Sequence, residues 1–241
     1  MNVLSIGNSF SVDSHRYLHS IAKADNVELT TVNLDIGGCS LERHCENMRS
    51  DEKAYEMHYN GTATHFLVSL SEALTNRAWD VITLQQASFL SFDAASYFPY
   101  ITELAAYVRR LAPTAKIYIH QTWAYEAGSQ RLLKNYNTPD EMLSDIIKAY
   151  DKAADAIKAD GMIRSGEMML GLIKNGIPTV HLDTVHASTG LGRYALGLLW
   201  YHTLCEKRVG ENAFSDFDEL VPDEHIRIAK QTVDRFQVIL I

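Results

Sequence analysis

Val3-Leu4-Ser5-Ile6-Gly7-Asn8-Ser9-Phe10-Ser11, at the head of the chain, decides the fold. Val3 to Ile6 is a short apolar run bounded by a glycine, which reads as a buried strand. Asn8 and Ser9 are helix-start residues, and Tyr17, Leu18, Ile21 and Ala22 share one helical face just beyond. A strand that turns sharply into a helix is the opening half of a parallel crossover unit.

The same alternation continues outward. Val27 to Leu34, Val81 to Leu84, Ile117 to Ile119 and Thr179 to Leu182 read as strands, rich in valine and isoleucine. Between them, Ile101, Leu104, Ala105, Val108 and Leu111 form one helical stripe. Leu143, Ile146, Ile147, Tyr150, Ala154 and Ile157 form a second, ending near Gly161. A fourth helix is expected from Gly190 to Leu204, and a fifth after Pro222 with Ile226, Ala229, Val233 and Phe236 on one side. The pattern predicts an α/β chain: a three-layer α/β/α sandwich around a mostly parallel, flavodoxin-like sheet of about five strands. Sites in such folds form beyond the carboxyl ends of the strands.

One domain is expected over residues 1–241, with two departures from the alternation. Near 53–68, Asn60-Gly61 lies between alternating residues and predicts a small inserted hairpin. Near 121–138 a long aromatic and polar stretch with Trp123, Tyr125 and Tyr136 predicts a loop that walls a site.

Composition excludes several classes. The 241 residues carry 22 basic and 30 acidic side chains, a formal charge of −8 with no basic block, which argues against nucleic acid or an anionic membrane as the main partner. No apolar run approaches the roughly 18 residues a spanning helix needs. Three cysteines without CxxC spacing fit a reducing compartment, so a cytoplasmic protein is expected, with a secreted or periplasmic one open if a leader was removed. Cys39 reads as a small buried side chain.

Ser9 follows the first strand, and Asp183-Thr184-Val185-His186 follows the last expected one. A serine hydroxyl attacks only when a base takes its proton and an acid holds that base in the right tautomer, and these three residues can fill those roles. The Ser9 amide can donate to an oxyanion. The competing reading is that Asn8-Ser9 merely caps a helix. The ten histidines raise a metal, but His44, His58, His65, His120, His181 and His186 show no HExxH spacing, so neither metal nor cofactor is expected. Asp13 and Glu42 read as helix-start charges rather than a carboxylate pair. Tyr194 reads as core and Arg193 as a loop clamp.

Taken with Ile36-Gly37-Gly38-Cys39-Ser40-Leu41-Glu42, Trp79 to Ser88, Thr122-Trp123-Ala124-Tyr125 and Gly190 to Tyr194, these motifs span nearly the whole chain in order. In that order they resemble the SGNH or GDSL-like hydrolase superfamily, and more closely a bacterial branch opening with Gly-Asn-Ser-Phe, long catalogued as a domain of unknown function. The resemblance implies Ser9 as nucleophile, His186 as general base, Asp183 as the acid that orients it, and the Ser9 and Gly38 amides as oxyanion donors. Asn8 stands where the superfamily pattern has aspartate. Gln85-Gln86-Ala87-Ser88 replaces the usual Gly-x-Asn-Asp, whose asparagine is the last oxyanion donor. A glutamine carries the same amide, so Gln85 or Gln86 is expected there, Gln86 being nearer the loop. Trp123, Tyr125 and His120 are expected to contact substrate. The implied activity is a serine esterase acting on small acyl groups, acetyl above all, on carbohydrates. The alternatives are an inactive carbohydrate-binding or scaffold protein on the same fold, and a metal-dependent hydrolase.

Overall fold

A computed structural model describes residues 1–236. Along the chain run β1 (Asn2–Gly7), α1 (Ser9–His15), α2 (Leu18–Ala24), β2 (Thr30–Asp35), α3 (Leu41–Ser50), β3 (Tyr55–Tyr59), β4 (Thr62–Val68), α4 (Leu70–Thr75) and β5 (Val81–Leu84). A 3₁₀ turn at Ala94–Tyr97 precedes α5 (Tyr100–Leu111), β6 (Lys116–Gln121), α6 (Gln130–Leu133), α7 (Pro139–Ile157), β7 (Gly161–Arg164), α8 (Ser165–Lys174), α9 (Leu191–Cys205) and α10 (Asp223–Val233).

The strands form one seven-stranded sheet in the order β4-β3-β2-β1-β5-β6-β7. From β2 to β7 the pairing is parallel throughout, with the crossover order of a flavodoxin-like sheet. β5 is buried at every position because helices cover both faces, which is why Val81-Ile82-Thr83-Leu84 reads as a continuous run rather than an alternation. α1, α2, α8, α9 and α10 pack together on one side, while α3, α4, α5 and α7 pack on the other. α9 is the innermost helix: from Leu191 to Leu204 only Arg193 is not buried.

The expected hairpin is β3-β4, and it is part of the sheet rather than an appendage, since β3 pairs antiparallel with β2. Asn60 and Gly61 both take positive φ (49° and 80°), as a two-residue turn matched to strand twist requires. Gly61 is also irreplaceable sterically, because a Cβ there would lie 2.5 Å from the Arg16 carbonyl oxygen.

One strand is misplaced in the sequence reading. Thr179 to Leu182 forms no strand; Leu182 N–H donates to His186 O and Ser188 N–H to Val180 O, so this segment closes a loop on itself. The fifth parallel strand is β7, beginning at Gly161, where α7 was expected to end. α7 stops earlier, at Ile157, with Lys158 in the left-handed conformation. Gly161 is required by the neighbouring strand: a Cβ would meet the Tyr118 ring at 2.7 Å. The 121–138 segment is also less of a loop than expected, since it contains α6.

Candidate active site

β1 ends at Gly7, and the chain turns into α1 through Asn8. The turn is tight enough that a Cβ on Gly7 would come within 2.1 Å of Ser11 Oγ. Ser11 Oγ donates to Asn8 O (2.8 Å) and accepts from Asn8 N–H (3.1 Å). Asn8 Oδ1 accepts from Phe10 N–H at 3.1 Å, and Asn8 Nδ2 donates to Cys39 O at 3.1 Å. Asn8 therefore ties the first-strand turn to the Ile36–Ser40 turn, where Gly38 takes a φ of 63°. Ser9 is left half-buried at the first position of α1, where a helix N–H has no intrahelical acceptor.

Ser9 Oγ lies 2.9 Å from His186 Nε2, and His186 Nδ1 lies 2.8 Å from Asp183 Oδ2. A carboxylate only accepts, so Nδ1 carries the proton, Nε2 is the bare nitrogen, and the Ser9 hydroxyl donates to it. Asp183 Oδ1 accepts from Val185 N–H (3.1 Å) and His186 N–H (2.8 Å), which folds the Asp183–His186 turn around its own acid. Burial alone would raise the Asp183 carboxyl, but the bonds from the His186 amide and ring and from Val185 outweigh it and hold the group down at about 2. Thr184 sits at φ 72°, an uncommon conformation for a β-branched residue, and three ties hold the turn from outside. Glu126 N–H donates to Thr184 O at 2.9 Å, Trp123 Nε1 donates to Val185 O at 2.8 Å, and Ala187 N–H donates to Asp13 Oδ2 at 2.9 Å.

Asp13 is a residue the sequence reading misjudged. It is buried in α1 rather than a solvated helix-start charge, and Arg193 Nε donates to its other oxygen at 2.8 Å. Burial pushes its carboxyl up, while the Arg193 charge and the Ala187 amide pull it back. Arg193 is thus a loop clamp, and Asp13 is the post it clamps to. Glu42 goes elsewhere, accepting from Tyr100 OH, so the two carboxylates do not meet.

Neither glutamine is available as an oxyanion donor, which corrects the expectation for both. Gln86 is fully buried; its Oε1 accepts from Leu41 N–H (3.0 Å) and Ala87 N–H (2.8 Å), and its Nε2 donates to Ser96 O (3.1 Å). Gln85 Nε2 donates to Asn8 Oδ1 at 2.7 Å, and its Oε1 accepts from His120 Nδ1 at 2.6 Å. Buried amides must satisfy both ends, and these do so within the protein. Gly38 N–H, by contrast, has no acceptor among the described residues.

The expected substrate contacts need the same correction. His120 is fully buried between Gln85 and Ser165, and burial together with the nearby His15 drives its pKa down to about 3. Trp123 is buried, with its ring stacked on Phe10 at 4.0 Å. It supports the serine and histidine from behind. Tyr125 lines an open groove, with its hydroxyl donating to Ser88 Oγ.

Of the remaining histidines, His58 and His65 share Glu56 as a neighbour, and the others go separate ways. His44 bonds to Tyr55 OH and His181 to Ala124 O. Among the described residues, Asp35, Glu56 and His58 form the one group of three whose metal-ligating atoms all lie within 4.8 Å of one another. Cys39 is buried, its thiol pushed up to about 12, and so is inert.

A family model, described as a domain of unknown function (DUF4886), matches residues 2–234. The chain belongs to this family. A DUF4886 protein from Bacteroides uniformis has a solved structure that is 32% identical, with a TM-score of 0.91 over 97% of this chain and 93% of that one. A proposed SGNH hydrolase from Slackia heliotrinireducens is 23% identical, with a TM-score of 0.61 over 85% of this chain and 98% of that one. An acetyl xylan esterase is 14% identical, with a TM-score of 0.51 over 83% of this chain and 98% of that one. Among curated proteins none matches the sequence. This DUF4886 chain therefore has the SGNH-like α/β/α fold. Among its described residues no helix is long and apolar enough to cross a membrane.

Proposed function

We propose that the chain is a serine esterase that removes small acyl groups, acetyl above all, from carbohydrate esters. The observation that carries this reading is the row Ser9 Oγ, His186 Nε2, His186 Nδ1, Asp183 Oδ2, with hydrogen bonds of 2.9 and 2.8 Å. In this mechanism His186 takes the Ser9 proton as Oγ attacks the acyl carbon. Asp183 stays ionised and steadies the imidazolium. His186 then returns the proton to the departing sugar oxygen, leaving an acyl-enzyme on Ser9. Water, deprotonated by His186, then attacks the acyl carbon. As the bond from that carbon to Ser9 Oγ breaks, His186 returns the proton to Oγ, releasing the acid and restoring the serine.

The Ser9 and Gly38 amides would donate to the oxyanion. With Gln85 and Gln86 both engaged elsewhere, this hole has two backbone donors and no side-chain amide. Removing one such donor costs about 100 to 1,000 fold in turnover elsewhere, so modest rates are expected. The acetyl and carbohydrate choice is supported by the superfamily resemblance and by likeness of fold to an acetyl xylan esterase.

The test is hydrolysis of p-nitrophenyl acetate and butyrate by the wild type, Ser9→Ala and His186→Ala. Acetate cleavage that disappears in both variants supports the reading. Equal background rates in all three proteins would refute it.

A further inference from the structure

A groove of about 320 Å³ opens between the turn after β5 and the segment that carries α6. Its volume is at the lower end of the roughly 300 to 1,000 Å³ usual for small-molecule sites. Tyr125 and the partly buried Phe92 line one part, and Phe89, 53% exposed, forms the rim. The opposite bank holds Arg131, Lys134 and Asn135.

The groove lies beside the turns that carry the Ser9 site. Phe89 approaches to 3.9 Å of the position a Gly38 Cβ would occupy, so the rim begins at the turn proposed to bind the oxyanion. Tyr125 lies between Trp123, whose Nε1 donates to Val185 O, and Glu126, whose amide donates to Thr184 O, so the floor is anchored to the Asp183–His186 turn.

Charge distinguishes the basic bank from the aromatic one. The chain carries a net charge of −8, yet neither Arg131 nor Lys134 has a carboxylate within 4.0 Å among the described residues. Three apart along α6 and its cap, the two share a side of the helix and both line the groove. Two uncompensated cations in a concave wall concentrate anions, and a guanidinium fits a planar carboxylate through two parallel hydrogen bonds.

We infer that this groove binds the saccharide part of the substrate and selects an anionic one, with Phe89 under a sugar ring and Arg131 and Lys134 on its carboxylate or sulfate. The inference rests on the esterase reading for its placement beside the acyl group, since the rim residue Phe89 sits next to the Gly38 turn. A neutral acetylated sugar would leave both cations unused and bind more weakly.

The test is calorimetric titration of Ser9→Ala protein with three trisaccharides: galacturonic acid, sulfated galactose and unmodified galactose. An acidic trisaccharide is expected to bind at least ten times more tightly than the neutral one, and whether the carboxylate or the sulfate leads identifies the anion. Adding Arg131→Ala and Lys134→Ala should bring all three within twofold, while Arg131→Lys alone should keep most of the preference, and 0.5 M salt should erase it. Equal affinity for all three sugars, no binding of any, or a preference that survives the double substitution would overturn the inference. The readout involves no turnover, so the two readings fail separately. A protein that binds acidic sugars but cleaves no ester contradicts the esterase alone, and one that cleaves aryl acetate but ignores charge contradicts the groove alone.

Discussion

Arg193 Nε donates to Asp13 Oδ1 across 2.8 Å, joining the first helix of the chain to the start of α9. The second Asp13 oxygen accepts the amide of Ala187, the residue after His186. One carboxylate thus fixes the distance between the helix that begins with Ser9 and the turn that carries the imidazole. Asp13→Ala would leave Arg193 without its partner and the Ala187 amide unsatisfied. Breaking a buried pair costs about 3 to 5 kcal/mol, and because Arg193 retains some solvent contact the lower figure, about 3 kcal/mol, is expected. Denaturant unfolding measures this, and the kcat for p-nitrophenyl acetate should fall with it. Wild-type stability and kcat in Asp13→Ala would show that the pair positions nothing.

Asn8→Asp restores the residue of the superfamily pattern and is nonetheless expected to harm this chain. Asn8 Nδ2 donates to Cys39 O, and a carboxylate would set oxygen against oxygen there. An unsatisfied buried group costs about 1 to 3 kcal/mol, so the melting temperature should drop and the Gly38 turn loosen. Unchanged stability and turnover in Asn8→Asp would contradict this use of the amide.

Gln86→Ala separates structure from chemistry. Gln86 holds the first amide of α3 and the Ser96 backbone, so its loss should destabilise by about 1 to 3 kcal/mol. Turnover at a temperature where the variant is folded should fall by less than tenfold. A fall of about 100 to 1,000 fold with unchanged stability would instead be the signature of an oxyanion donor.

Stability should decline on mild acidification. His15, His44 and His120 are fully buried, and burial above all drives each pKa from 6.5 down to about 3. The unfolded chain takes up these protons near pH 6.5 while the folded protein refuses them until about pH 3. Stability contributed by the neutral rings is therefore complete above pH 6.5 and is lost as pH falls through that window, at up to about 4 kcal/mol per pH unit for three protons. Asp183 works in the other window. Held at about 2 against an ordinary 3.8, its stabilising ionisation persists until pH falls below 3.8. Denaturant midpoints between pH 8 and pH 4.5 check this. A flat profile would mean that the histidines are not buried as neutral rings.

The parts legible in the sequence were those fixed locally. Val3 to Ser9 encodes a strand, a tight turn and a helix start within a few residues, and Asp183 to His186 folds around its own carboxylate through bonds to residues two and three positions away. The glutamines were illegible because their partners are remote: Gln86 is fixed by Leu41 and Ser96, and Gln85 by Asn8 and His120. Asp13 was misread for the same reason, since both its partners lie more than 170 residues downstream. The exchange of Thr179–Leu182 for Gly161–Arg164 arose because an edge strand of four residues carries no periodicity of its own. Gly161 suits β7 only because Tyr118 lies over it in the next strand.

The most direct test of the central claim is mass spectrometry of the wild type, Ser9→Ala and His186→Ala after exposure to a fluorophosphonate. An activated serine at Ser9 predicts one adduct per chain, mapped to the peptide holding Ser9, absent from Ser9→Ala and strongly slowed in His186→Ala. An unlabelled wild type, or a label that persists in Ser9→Ala, would contradict it.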